Sequence, residues 1–119
     1  MPRGFPPADR AVLERPGVRE TFIDDIRESF RAGSKGTAYE TRLMARAWGF
    51  RLRDIAMPVH LWQGEDDRNV PPRHGRYQAS EIPNCEARFL PGEGHLLVVD
   101  RIGEILDAVT GGSRVGNPA

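Results

Sequence analysis

Two short apolar runs, each ending in a glycine-containing polar loop, constrain the fold of this chain more than any other feature. The first run, Val59 to Gln63, leads into Gly-Glu-Asp-Asp, and the second, Glu86 to Leu90, leads into Pro-Gly-Glu-Gly-His. The residues between the runs suffice for one helix. Strand, helix and strand in this order predict a parallel pair with a right-handed crossover. We therefore predict an α/β fold.

A parallel pair places both polar loops at one edge of the sheet, because the two strands run in the same direction. Open α/β sheets hold their functional residues at this edge. Asp67 in the first loop and His95 in the second are therefore expected to meet, although they stand far apart in the sequence.

Composition excludes several classes of function. The chain has 119 residues, enough for one domain or part of one, and its 17 Lys and Arg balance 17 Asp and Glu. No net charge attracts nucleic acid or an anionic membrane surface. No apolar run reaches the ~18 residues of a membrane span, and the N-terminus lacks the apolar core of a secretory signal. The single cysteine, Cys85, fits a reducing compartment, so a cytoplasmic location is expected.

Helical periodicity precedes and follows the two strands. Residues 18–30 and 37–47 carry apolar side chains at helical spacing among charged ones, which predicts two amphipathic helices. Pro71 and Pro72 suit the first turn of a helix between the strands. Asp100 is expected to cap a last helix, after a short apolar connector.

The two ends of the chain carry weaker patterns. Residues 1–17 hold four of the ten prolines and are predicted to be irregular, apart from a helical turn around residues 8–14. Residues 111–119 begin with a glycine pair and are predicted to be a disordered tail. The folded domain is therefore expected to span residues 18–110.

The two loops also resemble those of a known family. Residues 64–71 (Gly-Glu-Asp-Asp-Arg-Asn-Val-Pro) are similar to the acid loop of α/β hydrolases, and residues 92–95 (Gly-Glu-Gly-His) to their histidine loop. The lead-in from Trp48 to Val59 is similar as well. The resemblance covers roughly residues 37–109. It implies a partial α/β-hydrolase fold, consisting of the last two parallel strands with flanking helices.

The resemblance implies roles for two residues. His95 would be the general base of a serine-type triad, and Asp67 would be the acid that orients it. Histidine suits this role because its ordinary pKa, about 6.5, lets it take and return a proton near neutrality. The family pattern places the acid three residues after the glycine, which selects Asp67 over Asp66. Gly92 and Gly94 are expected to let the histidine loop turn tightly.

The nucleophile of such a triad has no match. The nearest approach to a Gly-x-Ser-x-Gly turn surrounds Ser34, but charged, helix-periodic residues precede it where a buried strand is required. Ser34 is therefore interpreted as a loop residue between two helices. No oxyanion-hole loop is recognised either, so the isolated chain is expected to show little or no hydrolysis.

Three hypotheses on function stay open at this point. The chain is the C-terminal fragment of a hydrolase of esters, amides or related small molecules. Alternatively it is one half of a split hydrolase, whose partner chain supplies the serine. The third alternative is a non-catalytic module that pairs with a partner or with itself through an exposed sheet edge.

No cofactor is expected, because the family's hydrolysis resembles metal-free acyl transfer. No metal site is expected either. His60, His74 and His95 lack the spacing that places several ligands on one element.

Overall fold

The computed structural model describes residues 4–111. Its helices and strands are, in chain order, α1 (Pro7–Leu13), α2 (Val18–Ser29), α3 (Lys35–Met44), β1 (Val59–Gly64), α4 (Pro72–Glu81), β2 (Cys85–Leu90) and α5 (Leu97–Thr110). A short 3₁₀ helix, Leu52–Asp54, precedes β1.

The two predicted strands form a parallel pair. The register runs from Val59 opposite Cys85 to Gly64 opposite Leu90, and α4 makes the crossover. The predicted α/β arrangement of two parallel strands with flanking helices is confirmed. Both strands end at the same edge, so the acid loop and the histidine loop emerge side by side.

Prolines set both ends of α4. Pro72 occupies the first turn of the helix, where a backbone N–H has no acceptor within the helix, so its absence from proline costs no hydrogen bond. Ile82 precedes Pro83 and adopts an extended conformation (φ −83°, ψ 117°), because proline disfavours a helical residue before it. Ile82 is buried and belongs to the apolar core.

The helical turn predicted around residues 8–14 is present and extends to two turns of helix within the N-terminal segment. Residues 7–13, expected to be irregular apart from a turn, form helix α1, and Pro7 stands in its first turn. Val12 and Leu13 are buried, as is Leu97 of α5, against which α1 packs. The proline content indicated irregular structure, but packing on α5 stabilises a helix too short to persist alone.

Helix α5 begins before the residue that was predicted to cap it. Its first residue is Leu97, so Asp100 lies inside the first turn, where it forms an ion pair with Arg15. The prediction of a cap at Asp100 is therefore wrong. Gly111 (φ 72°) ends the helix in the left-handed conformation, as expected. The rest of the predicted tail, residues 112–119, lies outside the described residues, as do residues 1–3.

Helices α2 and α3 confirm the two predicted amphipathic helices, but neither contains a buried residue. The large apolar side chains exposed here are Ile23, Ile26, Phe30, Tyr39, Leu43 and Met44. The radius of gyration is accordingly 17.2 Å, against roughly 13.5 Å for a compact chain of this length. Among residues 4–111, no helix has the length and apolar character needed to cross a bilayer.

Candidate acid and base site

The structure brings Asp67 and His95 together at the edge where β1 and β2 end. Asp67 follows the last residue of β1 in a tight loop, and His95 follows β2 in the Gly-Glu-Gly-His loop. Nδ1 of His95 lies 3.0 Å from Oδ2 of Asp67. Parallel pairing of the strands therefore produces the contact that the sequence pattern predicted.

Each carboxylate oxygen of Asp67 has its own donors. Oδ1 accepts the backbone N–H groups of Asn69 (2.8 Å) and Val70 (2.9 Å), in the manner of an Asx turn. Oδ2 accepts a hydrogen bond from Nε2 of Gln63 (3.2 Å) and faces His95. Because the two backbone donors hold Oδ1 in place, Oδ2 stays directed at the imidazole.

The surroundings of Asp67 favour its ionised form. Burial of the side chain, which is 5% exposed, raises the pKa of Asp67, but the hydrogen bonds from Val70, His95 and Asn69 together lower it further. The pKa of Asp67 therefore lies below its ordinary value. An ionised carboxylate only accepts hydrogen bonds, so the proton of neutral His95 stands on Nδ1. The lone pair on Nε2 is then available to accept a proton.

The second ring nitrogen of His95 has no protein partner in the part of the chain that the structure describes. The His95 side chain is 41% exposed, in contrast to the buried carboxylate behind it. A reactant can therefore approach Nε2 while Asp67 stays screened from water. An accessible imidazole that is oriented by a buried acid is suited to act as a general base.

Gln63 is a site residue that sequence reasoning missed. Its side chain is buried, and Nε2 lies 3.2 Å from Oδ2 of Asp67 and from the carbonyl oxygens of Gly64 and Val70. Gln63 thus joins the end of β1 to both ends of the acid loop. The available sequence signal was a polar residue at the end of an apolar run.

Asp9 is a second missed residue, and it reaches the site from α1. Its carboxylate accepts the backbone N–H of His95 (3.1 Å) and of Leu96 (2.8 Å). A β-carbon at position 94 would overlap this carboxylate, so Gly94 makes the close approach possible. The predicted role of the glycines in a tight turn holds only for Gly92, which has the positive φ of 76°.

Asp66, the alternative acid, is exposed, and its side chain forms no hydrogen bond or ion pair among residues 4–111. Ser34 lies exposed between α2 and α3, as interpreted from the sequence. Ser29 and Ser80 donate to carbonyl oxygens of their own helices. None of these three serines contacts His95.

The two other histidines of the described residues lie away from this site. His60 lies on β1 with Nδ1 3.6 Å from the carboxylate of Glu86, and His74 lies in α4. Across residues 4–111, no three side chains of the metal-binding types cluster in a way that would hold an ion.

Comparisons with known proteins give a partial structural likeness. No protein-family model matches the chain, and no curated protein matches it. Half of the chain is similar to part of a His-tagged serine hydrolase involved in carbazole degradation (TM-score 0.44, 22% identity) and of a bromoperoxidase from Bacillus anthracis (TM-score 0.43, 25% identity). The likeness covers 23% and 22% of those two chains. The candidate site therefore rests on its own geometry.

Proposed function

We propose that Asp67 and His95 are the acid and the base of a hydrolytic site of the α/β-hydrolase type, which acts on esters, amides or related small molecules. The observation that carries this proposal is the 3.0 Å contact between a buried carboxylate and Nδ1 of an accessible imidazole. In this role Nε2 of His95 removes a proton from the nucleophile and later returns it to the leaving group. Asp67 stabilises the imidazolium that forms in between.

We propose further that the nucleophile comes from outside residues 4–111. The described serines do not contact His95, and Cys85 lies at the start of β2, at the opposite end of the strand from the site. The chain would then act as one part of a hydrolase, either as a fragment or as half of a split enzyme. Alone, it should hydrolyse activated esters at close to the background rate.

The test is fluorophosphonate labelling, which reports a serine activated by its base. The isolated chain should show no labelled serine. A polypeptide that carries a strand followed by a Gly-x-Ser-x-Gly turn should become labelled when it is mixed with the wild-type chain, but not with His95→Ala. Asp67→Asn should also prevent labelling, whereas the matched control Asp66→Asn should not.

Two outcomes would contradict the proposal. Labelling of Ser34 in the isolated chain, lost in Ser34→Ala, would show that the nucleophile is internal. Undiminished labelling of a partner in the presence of His95→Ala would show that His95 is not the base.

A second candidate function, a non-catalytic interaction module, is favoured by the sheet. β1 and β2 are the strands of the described chain, so each leaves one edge without a strand partner there. Sedimentation analysis separates the candidates, because a stable self-associated species without His95-dependent labelling would favour the module.

We also propose a cytoplasmic location, on the basis of the single cysteine, Cys85.

A further inference from the structure

We propose that Asp9 is a positioning residue for His95. From α1, it holds the main chain of the histidine loop in the placement that lets the imidazole reach Asp67. Its Oδ2 accepts the N–H of His95 itself, and its Oδ1 accepts the N–H of Leu96. The sequence separations are 86 and 87 residues, so the link exists only in the folded chain.

Because Asp9 is buried, its hydrogen bonds favour one placement of the histidine loop. Asp9 is 2% exposed, and a buried carboxylate is unfavourable unless its oxygens are hydrogen-bonded. Both oxygens are satisfied by the two adjacent N–H groups, and within residues 4–111 no buried side-chain polar atom lacks a partner. A displacement of the loop would leave the carboxylate buried without donors. The placement of Asp9 and the placement of His95 therefore depend on each other.

The same N–H groups stand at the beginning of α5. The N-cap residue is Leu96, whose side chain cannot accept a hydrogen bond. Asp9, from a different helix, instead accepts the N–H groups of the N-cap residue and of the residue before it, and its negative charge lies near the positive end of the α5 dipole. His95 immediately precedes the N-cap. Asp9 thus holds the backbone at the point from which the imidazole projects.

Neighbouring contacts hold the same corner of the molecule. Arg101 of α5 donates to Glu93 of the histidine loop at 2.7 and 3.1 Å. Arg15, just after α1, forms an ion pair with Asp100 of α5. The histidine loop is therefore held to α1 through main-chain N–H groups and to α5 through the side chain of Glu93, whereas Asp67 forms its hydrogen bond with the imidazole ring.

The catalytic consequence of this inference rests on the proposed function, but its structural content does not. The test therefore uses NMR of the full chain and reads the His95 ring directly. Nitrogen chemical shifts report the tautomer, and a slowly exchanging Nδ1 proton reports the hydrogen bond to Asp67. Hydrogen exchange at the amides of His95 and Leu96 reports the bonds to Asp9.

Three variants separate positioning from general stability. Asp9→Ala removes both acceptors and should give mixed His95 tautomers, loss of the slow Nδ1 proton, and exchange of the two amides about 10- to 100-fold faster. Asp9→Asn keeps one acceptor and should restore part of the wild-type signal. Glu14→Gln changes an exposed acid at the end of the same helix and should match the wild type.

An Asp9→Ala chain that keeps the β1 and β2 chemical shifts together with the wild-type His95 tautomer would overturn the inference. If Asp9→Ala does not fold, Asp9→Asn carries the tautomer comparison. The wild-type chain must also show nuclear Overhauser effects from the Asp9 β-protons to the amides of His95 and Leu96, and their absence would overturn the inference too. Failure of the proposed function is distinguishable, since partner labelling would then survive His95→Ala while the Asp9-dependent tautomer remained.

Discussion

The substitution Asp67→Asn tests the site most directly, because it exchanges one oxygen for an NH₂ group at nearly constant shape. The N–H groups of Asn69 and Val70 require an acceptor at the Oδ1 position. The new NH₂ group must therefore occupy the Oδ2 position, where it faces Nδ1 of His95. It can only donate there, so the neutral imidazole must accept at Nδ1 and carry its proton on Nε2. In that tautomer His95 cannot accept a proton from a nucleophile.

In the presence of a partner that supplies the serine, the expected loss of turnover exceeds the expected loss of stability. A hydrogen bond to a charged group contributes about 1.5–3 kcal/mol and a neutral one about 1 kcal/mol. The two backbone donors would keep a weaker acceptor, and Nε2 of Gln63 would face another donor. These changes together should cost about 2–3 kcal/mol of the free energy of unfolding. The equivalent change of tautomer in a serine protease lowers turnover by about 10⁴, or about 5.5 kcal/mol. Unfolding of part of the sample therefore cannot account for the loss.

The assay has two parts, and both use Asp66→Asn as the control. Nitrogen chemical shifts of His95 should show the Nδ1–H tautomer in the wild type and the Nε2–H tautomer in Asp67→Asn. Urea unfolding should give the lower midpoint only for Asp67→Asn. An unchanged His95 tautomer in Asp67→Asn would refute the reasoning. An equal fall of the urea midpoint in Asp66→Asn would refute it too, because Asp66 is exposed and unpaired among the described residues.

Two further predictions concern stability. The pKa of Asp67 is lower in the folded chain than in the unfolded chain, so its ionised form stabilises the fold above about pH 4. That contribution should be lost as the pH falls through the folded-state pKa, and acid unfolding followed by circular dichroism should show a smaller pH dependence for Asp67→Asn. Gly94→Ala should lower the free energy of unfolding by about 1–3 kcal/mol, because the methyl group overlaps the Asp9 carboxylate. The cost should shrink in an Asp9→Ala background. The control is Gly103→Ala, at an exposed position inside α5 where an added β-carbon meets open space. It should instead raise the free energy of unfolding by about 0.5–1 kcal/mol. Urea unfolding measures the change in each of these variants.

Local patterns in the sequence were sufficient to predict the parallel pair and the acid–base contact. An apolar run forms a strand through its own backbone and side-chain preferences, and the crossover helix then imposes the parallel direction. Parallel strands end at one edge, so Asp67 and His95 had to emerge close together. The limits of α4 were predictable for the same reason, since prolines at its two ends act on the adjacent backbone.

The prediction for the helix ends succeeded only where the cause was local. Gly111 ends α5 through its own left-handed conformation, as expected. Asp100 was expected to cap α5 because its side chain suits that role, but the helix begins at Leu97. The two N–H groups just before it, those of His95 and Leu96, are bound by Asp9 of α1, a contact that no pattern near Asp100 reveals.

The sequence by itself therefore determined the α/β arrangement, the edge at which the site lies and the two side chains that meet there. Tertiary structure alone decided which other residues hold these two side chains in place. Asp9 lies in the helical turn predicted around residues 8–14, but its carboxylate gains hydrogen-bond donors only when α1 packs on α5. Gln63 acquires its role only when the acid loop folds back over the end of β1. The physical reason is that strand and helix preferences act between neighbouring residues, whereas the satisfaction of a buried polar group depends on donors and acceptors far away in the chain.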